Sequence, residues 1–323
     1  MSTEGSERPV IRTVLGDVAP EEFGVCDAHD HLFLRSPQLA GQELDDPAAA
    51  TAELRAFAAL GGRSVVQWTP FGMGRRAGRL GEVSRAAGVH IVAATGLHQR
   101  EHVGATLTER VRGRLTELFI GELTRGLRND DDPDGPNGTA RAGMIKVAGA
   151  FHGVDAHARH VMKAAAEAHH ATGAPIGVHL EAGTAALDVL DLLCDWLGVP
   201  PERVLLAHLN RSPDTRVHRQ AAEAGAYLVF DGPSRAHHAT DGRLLDTLAA
   251  LCEAGHAGQL LLGGDTTTAV GRAAGGEGPG MPFLLSGLRP RIERELGTRV
   301  ATAIFVDNPA RAYAVPWKAG PRP

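Results

Sequence analysis

Short apolar runs alternate with longer helical patterns along almost the whole chain. The runs fall at residues 25–28, 64–68, 90–95, 144–148, 176–179, 204–208, 227–230 and 260–263. The stretches between them are mostly rich in Ala, Leu and Glu, as at residues 156–172 and 185–197, and several end at a glycine that suits a helix C-terminus. This alternation predicts eight βα units around a parallel sheet.

The number of units favours one closed domain. Eight strands with their crossover helices need about 250 residues plus insertions, and the chain has 323 residues. An open doubly wound sheet would normally carry a glycine-rich phosphate turn after its first strand, where this chain carries His29 and His31. We therefore predict a single (β/α)8 TIM barrel over residues 1–323, with a flexible tail at residues 1–12.

Composition and charge narrow the possible partners. Hydrophobic residues make up 43% and charged residues 22%, which is typical of a soluble globular protein with a large core. The net charge of -5 argues against a nucleic-acid surface. The best counter-candidate is a cluster of Arg75, Arg76, Arg79 and Arg85, whose near-helical spacing favours a solvated helix face. The polar segment 129–137 predicts a mobile surface loop.

Cysteine use and the N-terminal segment indicate a cytoplasmic protein. The three cysteines are an odd number without C-x-x-C spacing, which supports neither a disulfide framework nor a zinc ribbon. The first ten residues contain no apolar core of a signal peptide. No segment approaches the roughly 18 apolar residues of a membrane span, so we expect no membrane partner.

Histidines recur at the carboxyl ends of the predicted strands. His29 and His31 are two residues apart at the first strand, so that both side chains point to one face. His179 and His208 end two later strands, and Asp265 follows the eighth. Parallel strands gather such groups at one end, which predicts a metal site. The alternatives are a surface histidine pair and, for Asp265, an N-cap of the next helix.

Lys146 is an unusual residue at its position. It is one of three lysines in a chain whose lysines and arginines total 33, and it lies inside an apolar strand. A desolvated lysine near cations loses its proton more readily than an arginine, and a neutral amine can take up carbon dioxide as a carbamate. A carbamate has two oxygens that can bridge two metals. The alternative is a structural lysine paired with a carboxylate.

Six segments together resemble one known family. They are TVLGDVAPEEFGVCDAHDHL, GMIKVAG, ATGAPIGVHLEAGT, AHLNRSPD, LLLGGDT and FVDNPARAYA. The chain resembles the phosphotriesterase-like family of the amidohydrolase superfamily, and within it most closely the lactonase and sugar-lactonase branch. The resemblance implies a distorted (β/α)8 barrel of the amidohydrolase type and, as is frequent in the family, a homodimer.

The resemblance also implies the cofactor and its ligands. It implies two divalent metal ions, with zinc expected and manganese, cobalt or iron as alternatives. His29, His31 and Asp265 would hold the more buried ion. His179 and His208 would hold the more exposed one, and carboxylated Lys146 would bridge the two. A metal-bridging hydroxide would attack the substrate, and Asp265 would accept its proton.

Further residues are candidates for the small-molecule substrate. His98 is expected to donate a hydrogen bond to the leaving oxygen. Glu181 is expected either to orient a metal ligand or to bind the substrate. Arg211 and Arg235 are possible substrate clamps, with surface or bracing roles as the alternative. The segment after Asp265 keeps only Arg272 where the sugar-lactonase branch carries several phosphate-binding groups.

These considerations favour an unphosphorylated lactone or related ester as the substrate. The first alternative is an amide or organophosphate (phosphotriester) hydrolase on the same centre. The second is a small-molecule-binding barrel without catalysis, against which the presence of all six ligand types argues.

Overall fold

The predicted strands are all present as strands of one parallel sheet. The computed structural model describes residues 8–130, 132–232 and 238–318. The strands of the large sheet are β3 (Cys26–Asp30), β4 (Ser64–Gln67), β5 (His90–Gly96), β6 (Met144–Ala148), β7 (Ile176–His179), β8 (Val204–Ala207), β9 (Tyr227–Asp231) and β10 (Leu260–Gly263), preceded by a small antiparallel pair, β1 (Ile11–Thr13) and β2 (Gly16–Val18). Each strand from β3 to β10 lies parallel to its neighbour in sequence order.

The two ends of this sheet meet and nearly close a barrel. The backbone N–H of Asp265, just after β10, donates to the carbonyl of His29 in β3 over 3.0 Å. A Cβ atom on Gly263 would lie 2.3 Å from the His29 oxygen, so only glycine permits this approach. The predicted TIM-barrel fold is therefore confirmed.

Helices cover the outside of the sheet. In the described residues they are α1 (Pro20–Phe23), α2 (Pro47–Ala59), α3 (Ala77–Ala87), α4 (Arg100–Val103), α5 (Ala105–Val111), α6 (Leu115–Thr124), α7 (Ala156–Thr172), α8 (Ala186–Leu190), α9 (Thr215–Glu223), α10 (His238–Asp241), α11 (Leu244–Glu253), α12 (Arg289–Leu296), α13 (Thr298–Thr302) and α14 (Asn308–Tyr313). The predicted helix 156–172 is α7, capped by Asp155 and ended by Gly173. The predicted helix 185–197 is α8 continued by a π-helical turn, Asp191–Trp196.

The barrel interior is filled beneath the carboxyl ends of the strands. Trp68, fully buried, donates its indole N–H to the carbonyl of Ala28 over 2.8 Å. A Cβ atom on Gly177 would lie 2.6 Å from the Trp68 ring, so this glycine leaves the space that the indole occupies. The ring centroids of Trp68 and His29 are 4.2 Å apart. The buried indole of Trp68 therefore packs against the ring of His29, the first of the predicted ligands.

Three expectations about the periphery need correction. The tail expected at residues 1–12 is part of the fold at its end, because Val10 pairs with Val315 and Ile11 is buried in β1. Arg75 lies before α3 and is fully buried, so it is not part of a solvated face. The polar segment 129–137 is anchored at Asp130, which is buried against Arg75. A buried arginine needs a carboxylate partner, which local spacing does not reveal.

Two further observations concern the cysteines and the possibility of a membrane-spanning helix. Cys26, Cys194 and Cys252 are all free thiols. None of the helices in the described ranges has the length and apolar content that crossing a bilayer requires.

Candidate metal centre

The six predicted ligands lie at the carboxyl ends of five barrel strands. His29, His31, Lys146, His208 and Asp265 are buried, and His179 is half-buried at the end of β7. Two of them, His208 with φ 69° and Asp265 with φ 47°, adopt a left-handed backbone that non-glycine residues seldom adopt. Such strain persists where the surrounding structure imposes it, and it is concentrated at functional sites.

Asp265 lies at the centre of the group. One of its oxygens, Oδ1, is 3.5 Å from Nε2 of His29 and 3.4 Å from Nε2 of His31. The other, Oδ2, is 3.6 Å from Nδ1 of His208. The ligand atoms of His29, His31 and Asp265 all lie within 4.8 Å of one another. The structure thus brings these predicted ligands together.

The ring of His31 is oriented by Thr69. Its Nδ1 lies 2.7 Å from the Thr69 hydroxyl oxygen, and that hydroxyl donates to the carbonyl of Phe33 over 2.6 Å. The hydroxyl has one proton, so it must accept from an Nδ1–H of His31. The lone pair of His31 is therefore on Nε2, which faces Asp265. Burial lowers the pKa of His31 to about 4, although Asp265 opposes the shift, so the ring is neutral near pH 7.

Asp231, at the end of β9, orients two more histidines. Its Oδ2 accepts from Nδ1–H of His208 over 2.7 Å, and its Oδ1 is 3.2 Å from Nδ1 of His29. Burial alone would raise the pKa of Asp231, but His208 and the hydrogen bonds from both rings hold it below the usual value. A metal-ligating histidine commonly donates its other ring N–H to a carboxylate in this way.

His179 is held by a third acceptor. Its Nε2 donates to Oε2 of Glu181 over 3.0 Å, and the same oxygen accepts from Nε2 of Gln99 over 3.0 Å. The hydrogen bond with His179 lowers the pKa of Glu181 to about 2, so the carboxylate stays ionised. The ring centroids of His179 and His208 are 4.4 Å apart. The position of Glu181 fits the orienting role expected for it.

Lys146 is buried in β6 among these groups. Burial lowers its pKa to about 7; Asp265 opposes this shift, and Arg211 adds to it. A substantial fraction of the amine is therefore neutral near pH 7, which is the form that reacts with carbon dioxide. Within the described ranges, the Lys146 amine forms no hydrogen bond or ion pair, so the alternative of a structural lysine–carboxylate pair has no support.

The donor set fits divalent metal ions. Nε2 of His29 is buried and has no hydrogen-bond partner in the part of the chain that the structure describes. Leaving such atoms unsatisfied costs free energy, unless a ligand supplies the missing interaction. Imidazole nitrogens with carboxylate oxygens are ligands that suit zinc and its neighbours among the transition metals.

Two of the candidate substrate residues, His98 and Arg211, contact predicted metal ligands. His98 is buried, and its ring centroid lies 4.7 Å from that of His179. Its Nδ1 accepts from the backbone N–H of Gln99 over 2.8 Å, so its proton is on Nε2. Arg211 contacts Asp265 through Nη2, and its Nε is 3.5 Å from Oδ2 of Asp231.

The other two candidate arginines are Arg272 and Arg235. Arg272 is buried, and its Nη2 donates to the carbonyl of Leu32, so the guanidinium connects the segment after β10 to the segment after β3. Its expected contact with substrate stays a prediction. Arg235 lies outside the described residues.

Sequence reasoning missed Asp231 and Thr69. Asp231 had a usable signal, because it is a carboxylate at the carboxyl end of a predicted strand, as the predicted ligands are. Thr69 had none, since a threonine two residues past β4 is common in such loops.

Comparisons with known proteins agree with this arrangement. A phospho-furanose lactonase from Mycoplasmopsis agalactiae is 31% identical over 248 residues, covering 73% of this chain and 70% of that protein. A lactonase from Listeria monocytogenes superposes with a TM-score of 0.85 at 28% identity, covering 94% of this chain and 98% of the other. The phosphotriesterase homology protein from Escherichia coli, solved with phosphate in its active site, superposes with a TM-score of 0.81 at 26% identity, covering 90% and 99%.

The model of the Phosphotriesterase family matches residues 9–313. That span includes all eight barrel strands and all six predicted ligands. The chain is therefore a hydrolase and belongs to the Phosphotriesterase family, whose members depend on metal.

Proposed function

We propose that this protein is a binuclear-metal-dependent hydrolase that opens a lactone or related ester. The observation that carries the proposal is the convergence of four histidines, Lys146 and Asp265, with partners that orient the ligating histidines. The named lactonases among the similar proteins support the ester class.

The ligand assignment follows the pattern of the family. His29, His31 and Asp265 would hold the more buried ion, His179 and His208 the more exposed one, and Lys146, as a carbamate, would bridge them. When bound, the ions supply Lewis-acid polarisation of a substrate oxygen and lower the pKa of a water molecule toward neutrality. Zinc is the metal we propose.

The side chains of the chain supply the proton transfers. Asp265 would accept the proton of the attacking water, because its carboxylate lies among three ligand histidines. Arg211 contacts that carboxylate and would hold it in position. His98, with its proton on Nε2, would donate a hydrogen bond to the leaving oxygen.

We further propose that the substrate carries no phosphate. A phosphate dianion prefers several charge-assisted partners. The segment after Asp265 offers only Arg272, and that guanidinium is buried against the Leu32 carbonyl. The similar lactonase from Mycoplasmopsis agalactiae is named for a phospho-furanose. The proposed substrate of this chain therefore differs from the one in that name by the absence of a phosphate.

A substrate panel tests the proposal. The zinc-loaded enzyme is assayed on one sugar lactone with and without its phosphate, an N-acyl amino acid and an aryl phosphotriester. We expect the highest kcat/KM on the unphosphorylated lactone. Preference for the phosphorylated lactone would contradict the substrate proposal alone, whereas preference for the amide or phosphotriester would contradict the lactonase assignment.

Metal analysis tests the alternative of a binding barrel without catalysis. We expect about two metal ions per folded chain after supplementation, as the paired ligand sets imply. Clearly less than one ion per chain, with no turnover on the panel, would instead favour a binding protein.

A further inference from the structure

A cavity of about 530 Å³ lies apart from the metal centre and is lined by arginines from three segments. Arg35 comes from the segment after β3, Arg76 and Arg79 from the start of α3, and Arg128 from the segment between α6 and β6. None of the six predicted metal ligands lines it. It is therefore a separate feature, built from part of the arginine cluster that the sequence suggested as a solvated face.

The acidic groups near this cavity neutralise the arginines only weakly. Arg76 is 3.4 Å from Asp45, and Arg79 is 2.8 Å from Glu82, but both pairs are exposed to solvent. Such pairs contribute about 0–1 kcal/mol and exchange readily for another anion.

Asp130 also lines the cavity, but its carboxylate is already engaged. Its Oδ2 accepts from the backbone N–H of Arg75 over 2.6 Å, and its Oδ1 lies 2.8 Å from Nε of the same residue. The acid that lines the cavity is therefore paired with a buried arginine that does not line it. A net positive lining remains.

The walls of the cavity are held by backbone hydrogen bonds. The backbone N–H of Arg128 donates to Glu122 over 2.9 Å, and its carbonyl accepts from Nη2 of Arg75 over 3.2 Å. On the other wall, the N–H of Arg35 donates to the Met73 carbonyl over 2.7 Å. A backbone that is already ordered before binding loses less conformational entropy when a ligand binds.

Arg128 has an unmet hydrogen-bonding requirement. Its Nη1 donates to the carbonyl of Pro133 over 3.1 Å. Its Nε atom is buried and has no hydrogen-bond partner within the described ranges of the chain. A buried donor without an acceptor is costly, and an oxyanion bound beside it would supply that acceptor.

We propose that this cavity binds a small organic phosphate. Guanidinium groups match phosphate oxygens in bidentate pairs, which distinguishes them from ammonium groups. The volume falls in the range of small-molecule sites, about 300–1,000 Å³, and exceeds what a bare ion needs. The chain carries a net charge of -5, so an extended polyanion such as nucleic acid would be repelled by the rest of the surface.

Calorimetric titration tests the proposal on the zinc-loaded full chain at constant ionic strength. The probes are 3-phosphoglycerate and inorganic phosphate. We expect 3-phosphoglycerate to bind more tightly than inorganic phosphate, and the double variant Arg35→Gln/Arg128→Gln to weaken it at least about tenfold. The control is Arg216→Gln/Arg219→Gln, which removes two charges from exposed positions of α9 and should leave binding unchanged.

A kinetic measurement separates this cavity from the metal centre, where phosphate can also bind. Lactone hydrolysis and its inhibition by phosphate should be the same in the wild-type enzyme and in Arg35→Gln/Arg128→Gln. Unchanged 3-phosphoglycerate binding in that variant would overturn the proposal, as would tighter binding of a DNA duplex than of 3-phosphoglycerate. Equal weakening by the α9 control would reduce the effect to net charge and would also overturn it.

Discussion

The Nδ1 atom of His208 lies 2.7 Å from Oδ2 of Asp231, a residue that the family's ligand pattern does not include. The second oxygen of Asp231 is 3.2 Å from Nδ1 of His29. One buried carboxylate thus contacts two histidines that are assigned to different metal ions. Loss of its charge should affect both ions together.

Asp231→Asn should weaken metal binding by about 10–100-fold, the usual cost of losing a partner that orients ligands. The amide keeps the shape but not the charge that stabilises two N–H donors. Competition with a fluorescent chelator measures the affinity. Asp195→Asn, at an exposed position, is the matched control. Wild-type affinity in Asp231→Asn would show that the carboxylate does not orient the ligands.

Thr69→Val should lower metal affinity, while Thr69→Ser should restore it. Valine keeps the volume but removes the oxygen that accepts from Nδ1–H of His31, so the ring loses its fixed orientation. We expect an effect of about tenfold or more for valine. Chelator competition measures both variants. Equal affinities for the two would mean that packing around Thr69, and not its hydroxyl, is what matters.

Lys146→Ala should lose bound metal and activity, because the bridging group is gone. Bicarbonate with a short carboxylate should restore part of both, since a free carboxylate can occupy the space of the missing carbamate. The measurements are metal content by mass spectrometry and kcat on a lactone. The control is Lys163→Ala, on the outer helix α7. Full activity of Lys146→Ala would rule out the bridge.

Arg75→Met should destabilise the fold by about 3–5 kcal/mol, the cost of removing one partner of a buried ion pair. The substitution leaves Glu122, 2.5 Å from Nη2 of Arg75, and Asp130 without their cation. The variant Arg75→Met/Glu122→Gln/Asp130→Asn should recover most of the loss. Urea unfolding measures the free energy of unfolding. A small loss in the single variant would mean that the carboxylates take up protons at little cost.

The free energy of unfolding should fall as the pH decreases below about 6.5, the unfolded pKa of histidine. Burial lowers the pKa of His169 and of His218 in the folded state. The unfolded chain therefore binds protons more tightly, and the stabilisation present above that pH is lost as the pH falls. Urea unfolding of His169→Gln/His218→Gln between about pH 7 and pH 5 should show a shallower slope than wild type. A slope equal to that of wild type or of exposed His160→Gln would contradict this.

The strands and the location of most predicted ligands were predictable because they depend on local pattern. Buried parallel strands are apolar along their whole length, and their carboxyl ends meet at one edge. The expected strand 144–148 and helix 156–172 therefore agree with β6 and α7 residue by residue. The same rule placed His179 and Asp265 at that edge without any knowledge of their neighbours.

The partners of those residues were decided only by the tertiary structure. Thr69 orients His31 and Glu122 neutralises Arg75 across large separations in sequence, and no spacing rule connects such pairs. Arg272 is a further example, since its hydrogen bond to the carbonyl of Leu32 joins residues far apart in the sequence. The apolar pattern of the sequence alone determined the barrel and the edge where the chemistry lies. Which ring nitrogen is free, and which arginine is buried, depend on side chains that meet only after the barrel has closed.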